Sequence, residues 1–262
     1  MYNIPFRVLI KGDAKAGKSQ LSNRLMGMRF SFEHDPTIAV DLHSFRIENK
    51  IIDLRDMTGD KQFKHFYDYF EKNAHLILYC IDASQKTLEN NLSSYKTEIE
   101  EIRSKHPHSS LILVKTKVDE QQSDNIPLIQ KFAQENNLPC IDTSAKENTG
   151  TDEIKTVIKR DINKNALAEK AEFESIICQL INNIEAGCNR KTSGKGSNKV
   201  IALKNKLAAL SSSNTFDNDS EIQSVKAICK QPRHFWNFFT TPNSVNEFEE
   251  LLELSARAKA NS

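Results

Sequence analysis

The chain has 262 residues, 27% of them charged and 38% hydrophobic, with a formal net charge of +1 at pH 7. That length can bury one large core or two smaller ones, and the near-neutral balance excludes a protein that grips nucleic acid through its overall field. No run approaches the roughly 18 apolar residues of a membrane span. Met1-Tyr2-Asn3-Ile4-Pro5 lacks the basic and apolar regions of a secretory signal, and neither terminus reads as a lipidation signal. The 5 cysteines (Cys80, Cys140, Cys178, Cys188, Cys229) are widely spaced and free of any CxxC. They fit reduced thiols, with no disulfides and no zinc site. A soluble cytoplasmic protein is the expectation.

Strand-like and helix-like segments alternate over residues 1–165. Phe6–Lys11 is a compact apolar run followed at once by Gly12. Asp41–Ile47 and Ile51–Asp56 read as paired strands around Glu48-Asn49-Lys50. His75–Ile81 and Leu111–Lys115 are short apolar runs of the kind buried in a parallel sheet, and Leu138–Ile141 is a weaker last strand. Helical stretches are predicted near 18–27, 88–105, 125–136 and 151–164. This alternation predicts an α/β fold, a doubly wound, mostly parallel sheet with helices on both faces and a ligand at the strand C-termini.

Over residues 166–262 the apolar residues move to helical spacing, which predicts a small all-α domain. Phe173, Ile176, Ile177, Leu180, Ile181 and Ile184 form one stripe closed by Gly187. Val200, Leu203, Leu207 and Leu210 form a second, and Ile222, Val225 and Cys229 a third, stopped by Pro232. Ser244-x-x-Glu247 reads as a capping box opening a fourth helix with Phe248, Leu251, Leu252 and Leu254.

Gly12-Asp13-Ala14-Lys15-Ala16-Gly17-Lys18-Ser19 matches G-x-x-x-x-G-K-S/T, after a predicted strand and at the opening of a predicted helix. In that setting successive backbone N–H groups and the helix dipole cradle phosphates. Lys18 then reaches the β- and γ-phosphates, the Ser19 hydroxyl is placed for Mg²⁺, and Gln20 completes the candidate phosphate-site residues. Thr116-Lys117-Val118-Asp119 follows a strand. A carboxylate at 119 can accept from guanine N1–H and the exocyclic amine, a donor pair adenine lacks, while the stem of Lys117 covers one face of the base. Thr143-Ser144-Ala145-Lys146 then offers a backbone N–H to the guanine carbonyl. Asp119 opposes the reading of an adenine nucleotide phosphotransferase.

In this order and at these strand ends, residues 5–165 resemble a small GTPase of the Ras superfamily, nearest the Rab branch, with the P-loop NTPase fold. The resemblance rests on 12–19, on Asp35-Pro36-Thr37-Ile38-Ala39-Val40-Asp41-Leu42, on Asp56-Met57-Thr58-Gly59, on 116–119 and on 142–146, with Phe66–Ala74 adding a Rab character. It implies GTP and GDP as ligands with Mg²⁺, held by Ser19, Thr37 and, through a water, Asp56. It implies that the N–H groups of Thr37 and Gly59 meet the γ-phosphate, so that its loss frees both loops and works a switch in membrane trafficking. Phe30 would set an aromatic edge against guanine. Asp60, Lys18 and Thr37 are the candidate catalytic residues, and protein effectors or regulators would dock through residues 34–47 and 58–70.

The chain departs from the family pattern at several points. Asp60-Lys61 replaces Gln-Glu in the second switch, and Asp60 lacks the amide that orients the attacking water, which predicts slow GTP hydrolysis. The alternative is a GTP-locked pseudo-GTPase acting as a scaffold or decoy for host trafficking factors. Lys15 stands where the family often has glycine, and Arg55 replaces the tryptophan of the effector face. The stretch holding Arg190, Lys191, Lys195, Lys199, Lys204 and Lys206 contains no acidic residue between Glu185 and Asp217. It reads as a solvated linker or as a peripheral anionic-membrane contact through 190–206. His234-Phe235-Trp236-Asn237-Phe238-Phe239 reads as a core plug. With the following helix it resembles helical modules of secreted proteins of intracellular bacterial pathogens, which would place the chain in host cytosol as a Rab mimic.

Overall fold

The computed structural model describes residues 5–32, 37, 39–60, 64–120, 125–188, 196–213, 216–230 and 243–260. Residues 3–162 and 163–262 fall into two compact units. The division lies inside one long helix, between Ile162 and Asn163.

The first unit holds six strands, β1 (Phe6–Gly12), β2 (Val40–Ile47), β3 (Lys50–Met57), β4 (Leu76–Asp82), β5 (Ser110–Thr116) and β6 (Cys140–Asp142). Their order across the sheet is β2-β3-β1-β4-β5-β6. All pairs are parallel except β2 with β3, a hairpin turned tightly at Glu48 and Asn49. The expected doubly wound, mostly parallel sheet is borne out. Helices α1 (Lys18–Leu25), α2 (Lys64–Glu71), α3 (Leu88–Lys105), α4 (Asn125–Glu135) and α5 (Thr151–Cys188) follow the strands. The sequence reading had no element at α2.

Strand side chains alternate between the faces of the sheet, and that period builds two cores. Val8, Ile10, Ile52, Leu54, Leu78 and Val114 pack with Leu21 and Leu25 of α1 and Ile154 and Ile158 of α5. Leu9, Ile77, Tyr79, Ile81 and Leu113 pack with Tyr95 and Ile99 of α3 and Ile129 and Phe132 of α4. With both faces covered, β4 is buried along its whole length. The sheet therefore presents the C-terminal ends of β1, β3 and β5, and the loops that follow them, as the open edge for a ligand.

In the second unit, α6 (Gly196–Ser212), α7 (Asn218–Lys230) and α8 (Asn243–Ala260) join the later turns of α5. The predicted stripes close one core, with Phe173, Ile177 and Leu180 against Leu203, Val225 and Phe248. Three expectations are corrected here. First, α5 runs one residue past Gly187, to Cys188. Second, α8 begins at Asn243, so Ser244 is no cap: it is wholly buried, and its hydroxyl donates to the Cys229 carbonyl and accepts from Lys199 Nζ, both at 3.2 Å. Third, Leu254, counted with the apolar stripe, is exposed.

Part of the basic stretch also has partners within this unit. Lys199 is buried, with Nζ donating to the Cys229 carbonyl at 2.6 Å. Lys204 pairs with Glu185 at 2.8 Å, and Lys206 pairs with Glu221. These three lysines are engaged within their own unit. Arg190, Lys191 and Lys195 lie outside the described residues, as does the aromatic run 234–239.

Candidate functional site

A cavity of about 560 Å³ opens at the C-terminal edge of the sheet. Its floor is the loop that leaves β1. Gly12 has φ +135°, and a Cβ there would lie 2.2 Å from the Cys80 carbonyl oxygen of β4, so the crossing admits only glycine. The loop then bends through Lys15, itself at φ 64°, and enters α1 at Lys18. Lys18 is buried, and its Nζ donates to the Asp13 carbonyl at 2.6 Å. Burial lowers its pKa below the ordinary lysine value, against the pull of the charges at Asp56 and Asp13. Thr116, at the end of β5, donates its hydroxyl to the Ala16 carbonyl at 2.6 Å and so ties the loop to the sheet.

Three predicted loop residues shape this floor without lining the cavity. Gly12 makes the crossing, Asp13 turns its carboxylate to the buried Tyr95 hydroxyl at 2.7 Å, and Ala16 is buried under Thr116. Ala14, Lys15, Gly17, Lys18, Ser19 and Gln20 do line it. Tyr95 was not foreseen: it lies on α3, 82 residues from Asp13.

Oxygen donors gather beside Lys18. Ser19 Oγ and Thr37 Oγ1 are 3.0 Å apart, and Thr37 Oγ1 is 3.4 Å from an Asp41 carboxylate oxygen. Asp56, at the end of β3, is fully buried, and neither carboxylate oxygen has a hydrogen-bond partner among the described residues. Burial raises its pKa, and the nearby Ser19 hydroxyl and Lys18 ammonium offset this only in part. A buried carboxylate left in this state calls for a cation. Two hydroxyls and a carboxylate form an all-oxygen donor set, the chemistry that suits Mg²⁺.

The loop after β3 presses on the phosphate loop. A Cβ on Gly59 would lie 2.1 Å from the Ala14 backbone nitrogen. The Asp60 N–H donates to Thr58 Oγ1 at 3.2 Å, and the Tyr67 hydroxyl of α2 donates to the Thr58 carbonyl at 2.6 Å. Burial, with help from Glu71 and Asp60, pushes the Tyr67 hydroxyl up to about 12. Asp60 is exposed and lines the cavity with Thr58 and Gly59.

Polar ties hold the far end of α2. Glu71 is buried between Lys11 of β1 and His106, whose Nε2 lies 3.2 Å away. Burial alone would raise the Glu71 carboxyl, but His106 and Lys11 together hold it down at about 2. Arg55 donates to the Phe70 carbonyl and Arg7 to the Lys72 carbonyl, with both guanidinium groups also on Asp53. Arg55, where the family resemblance expects tryptophan, therefore works as a clamp on α2.

The other end of the cavity is built from three separate segments. Lys117 takes φ 56° and pairs with Asp82 at 2.7 Å, which fixes its stem along the wall. Asp119 is nearly buried, with Lys146 Nζ 3.9 Å away. Phe30 lines the cavity and meets Phe32 edge to face at 5.0 Å. Thr143, Ala145 and Lys146 line it, whereas Ser144 does not: its hydroxyl accepts the Glu147 N–H at 3.0 Å and its own N–H goes to Thr149. Ser144 thus shapes the loop behind the wall. Glu120, Leu21, Ser31 and Phe32 also line the cavity, and the sequence reading did not single them out for it.

Comparison with known proteins agrees with this geometry. A family profile described as Ras family matches residues 7–164, more than half of the chain. The chain is 26% identical over 168 residues to Ras-related protein Rab-1C of Dictyostelium discoideum, covering 63% of this chain and 84% of that protein. It is 25% identical over 204 residues to GTP-binding protein ypt1 of Schizosaccharomyces pombe, covering 75% and 94%. Over 165 residues it is 28% identical to Ras-related protein RabZ of Dictyostelium discoideum, covering 61% and 72%. With a matched profile and a mixed six-stranded sheet ending in a phosphate-type loop, the chain belongs to the Ras family.

Proposed function

We propose that the chain is a Rab-like guanine-nucleotide switch in membrane trafficking that binds GTP and GDP with Mg²⁺ and hydrolyses GTP slowly. The observation that carries this reading is the juxtaposition in one cavity of Lys18, the Ser19–Thr37 hydroxyl pair and Asp119, with the unpartnered Asp56 carboxylate beneath. Backbone N–H groups from Ala14 to Ser19 would cradle the phosphates, and Lys18 would neutralise the β- and γ-oxygens. Ser19 and Thr37 would hold Mg²⁺ directly and Asp56 through a water. The ion supplies charge neutralisation on the phosphates. Asp119 would accept from guanine N1–H and the amine, with Lys117 and Phe30 against the base.

Thr37 and Gly59 belong to different loops, and only a γ-phosphate satisfies both N–H groups. Its loss would release them, and that release is the signal read by protein partners at 34–47 and 58–70. A second reading, a GTP-locked scaffold or decoy, is favoured by Asp60. A carboxylate there lacks the amide side chain that orients the attacking water, and its backbone is tethered through Thr58.

Nucleotide identification separates the readings. The protein is purified with Mg²⁺, denatured, and the released nucleotide separated by chromatography. Unassisted family hydrolysis runs on the order of 10⁻⁴ per second, so a slow switch yields GDP within hours. Recovered GTP assigns the locked scaffold, and recovery of adenine nucleotide overturns both. Asp60→Gln is expected to speed single-turnover GTP hydrolysis by about tenfold. An equal or slower rate would remove Asp60 from the account.

A further inference from the structure

We propose that Arg24, on the last turn of α1 and outside the cavity wall, is the positioning residue that sets recognition of the purine 6-oxygen. The proposal rests on the guanine reading above. The guanidinium makes three donations: Nε to the Ala145 carbonyl at 2.5 Å, Nη2 to the Lys146 carbonyl at 3.2 Å, and Nη1 to the Met28 carbonyl at 3.3 Å. Ala145 and Lys146 line the cavity beside Asp119, and Phe30, two residues beyond Met28, lines it as well. One planar cation thus joins the segment at Met28 to that at Ala145, which lies 121 residues from Arg24, and both border the place of the base.

Peptide geometry turns this clamp into an orientation. In a trans peptide the N–H points opposite to the C=O, so drawing the Ala145 carbonyl to Arg24 turns the Lys146 N–H away from it. The next amide, Glu147 N–H, is taken by Ser144 Oγ. The N–H groups of Ala145 and Lys146 donate to no backbone carbonyl among the described residues. The charge-assisted bond to the Ala145 carbonyl holds the Lys146 donor in place before a ligand arrives. Asp119 can accept only from the N1–H and amine edge of guanine, so discrimination at position 6 falls to the Lys146 amide that Arg24 holds. Lysine is a poor substitute, since a point charge cannot fork across three carbonyls.

The test compares GDP with 6-thio-GDP, which keeps the N1–H and the amine and changes only the acceptor at position 6, with ADP as the control for the base. Dissociation constants are measured by competition on nucleotide-stripped full-length protein with Mg²⁺, for wild type, Arg24→Ala and Arg24→Lys. Wild type is expected to prefer GDP over 6-thio-GDP by roughly tenfold. In Arg24→Ala that ratio should fall towards one while GDP binding weakens roughly tenfold to a hundredfold. Equal weakening for both ligands would make Arg24 a general packing residue and overturn the proposal, as would no weakening at all. If Arg24→Ala does not fold, the same ratio in Arg24→Lys decides. Wild type that binds ADP as tightly as GDP would instead bring down the guanine reading, an outcome separate from any effect of Arg24.

Discussion

Replacing Glu71 by glutamine removes one buried charge at the end of α2 and keeps the side chain's shape. A carboxyl held at about 2 in the fold, against 4.5 ordinarily, is worth about 3 kcal/mol at roughly 1.36 kcal/mol per pH unit. Because the folded value is depressed, this stability is present above pH 4.5 and is lost as the pH falls through 2. The variant should therefore be less stable by about 3 kcal/mol at pH 7, and by roughly half of that near pH 3. The Lys11 ion pair that Glu71→Gln breaks is part of that figure. The assay is equilibrium urea unfolding of both proteins across that pH range, with Mg²⁺ and GDP saturating throughout. A cost under about 1 kcal/mol at pH 7, or one that does not shrink on acidification, would refute the argument that this carboxylate anchors α2 as a charge.

Other consequences are equally direct. Burial first, then Arg7 and Lys50, push the His75 imidazole down to about 4, and its Nδ1 accepts the Arg7 N–H at 2.9 Å. Stability from this group is intact above pH 6.5 and lost as pH falls towards 4, so wild type should lose about 2 kcal/mol by pH 5 on this account. His75→Asn should flatten that limb in the same urea experiment. Asp119→Asn should weaken GDP binding by at least about a hundredfold and improve binding of xanthosine diphosphate, read by competition; unchanged GDP binding would remove the base assignment. Gly59→Ala would drive a methyl against the Ala14 backbone. It should erase the preference for GTP over GDP in paired titrations while circular dichroism stays native.

The parts of the molecule legible in the sequence are those set by local rules. Gly12 to Ser19 carries its geometry in eight consecutive residues, and the buried strands announce themselves as unbroken apolar runs such as Leu76–Ile81. Asp119 was found because it directly follows a strand end. What was not legible depends on residues far apart in the chain. Nothing around Arg24 marks it as the partner of Ala145, and nothing around Asp13 shows that Tyr95 will claim its carboxylate. Ser244 followed by Glu247 satisfies a capping rule locally, yet Lys199 and the Cys229 carbonyl compete for the same hydroxyl and win. Lys199 itself reads as a surface residue because it closes a polar, lysine-rich stretch, whereas the groups that solvate it stand 30 and 45 residues away.

That enclosed lysine gives the helical unit a chemical clock. An acylating reagent reacts with a free amine that it can reach, and the Lys199 amine is enclosed by α6, the end of α7 and the start of α8. Lys204, one turn further along α6 and largely exposed, is open to the same reagent throughout. The ratio of acylation at these two positions, followed in time by mass spectrometry, therefore counts how often the helices part. It does so without unfolding the protein.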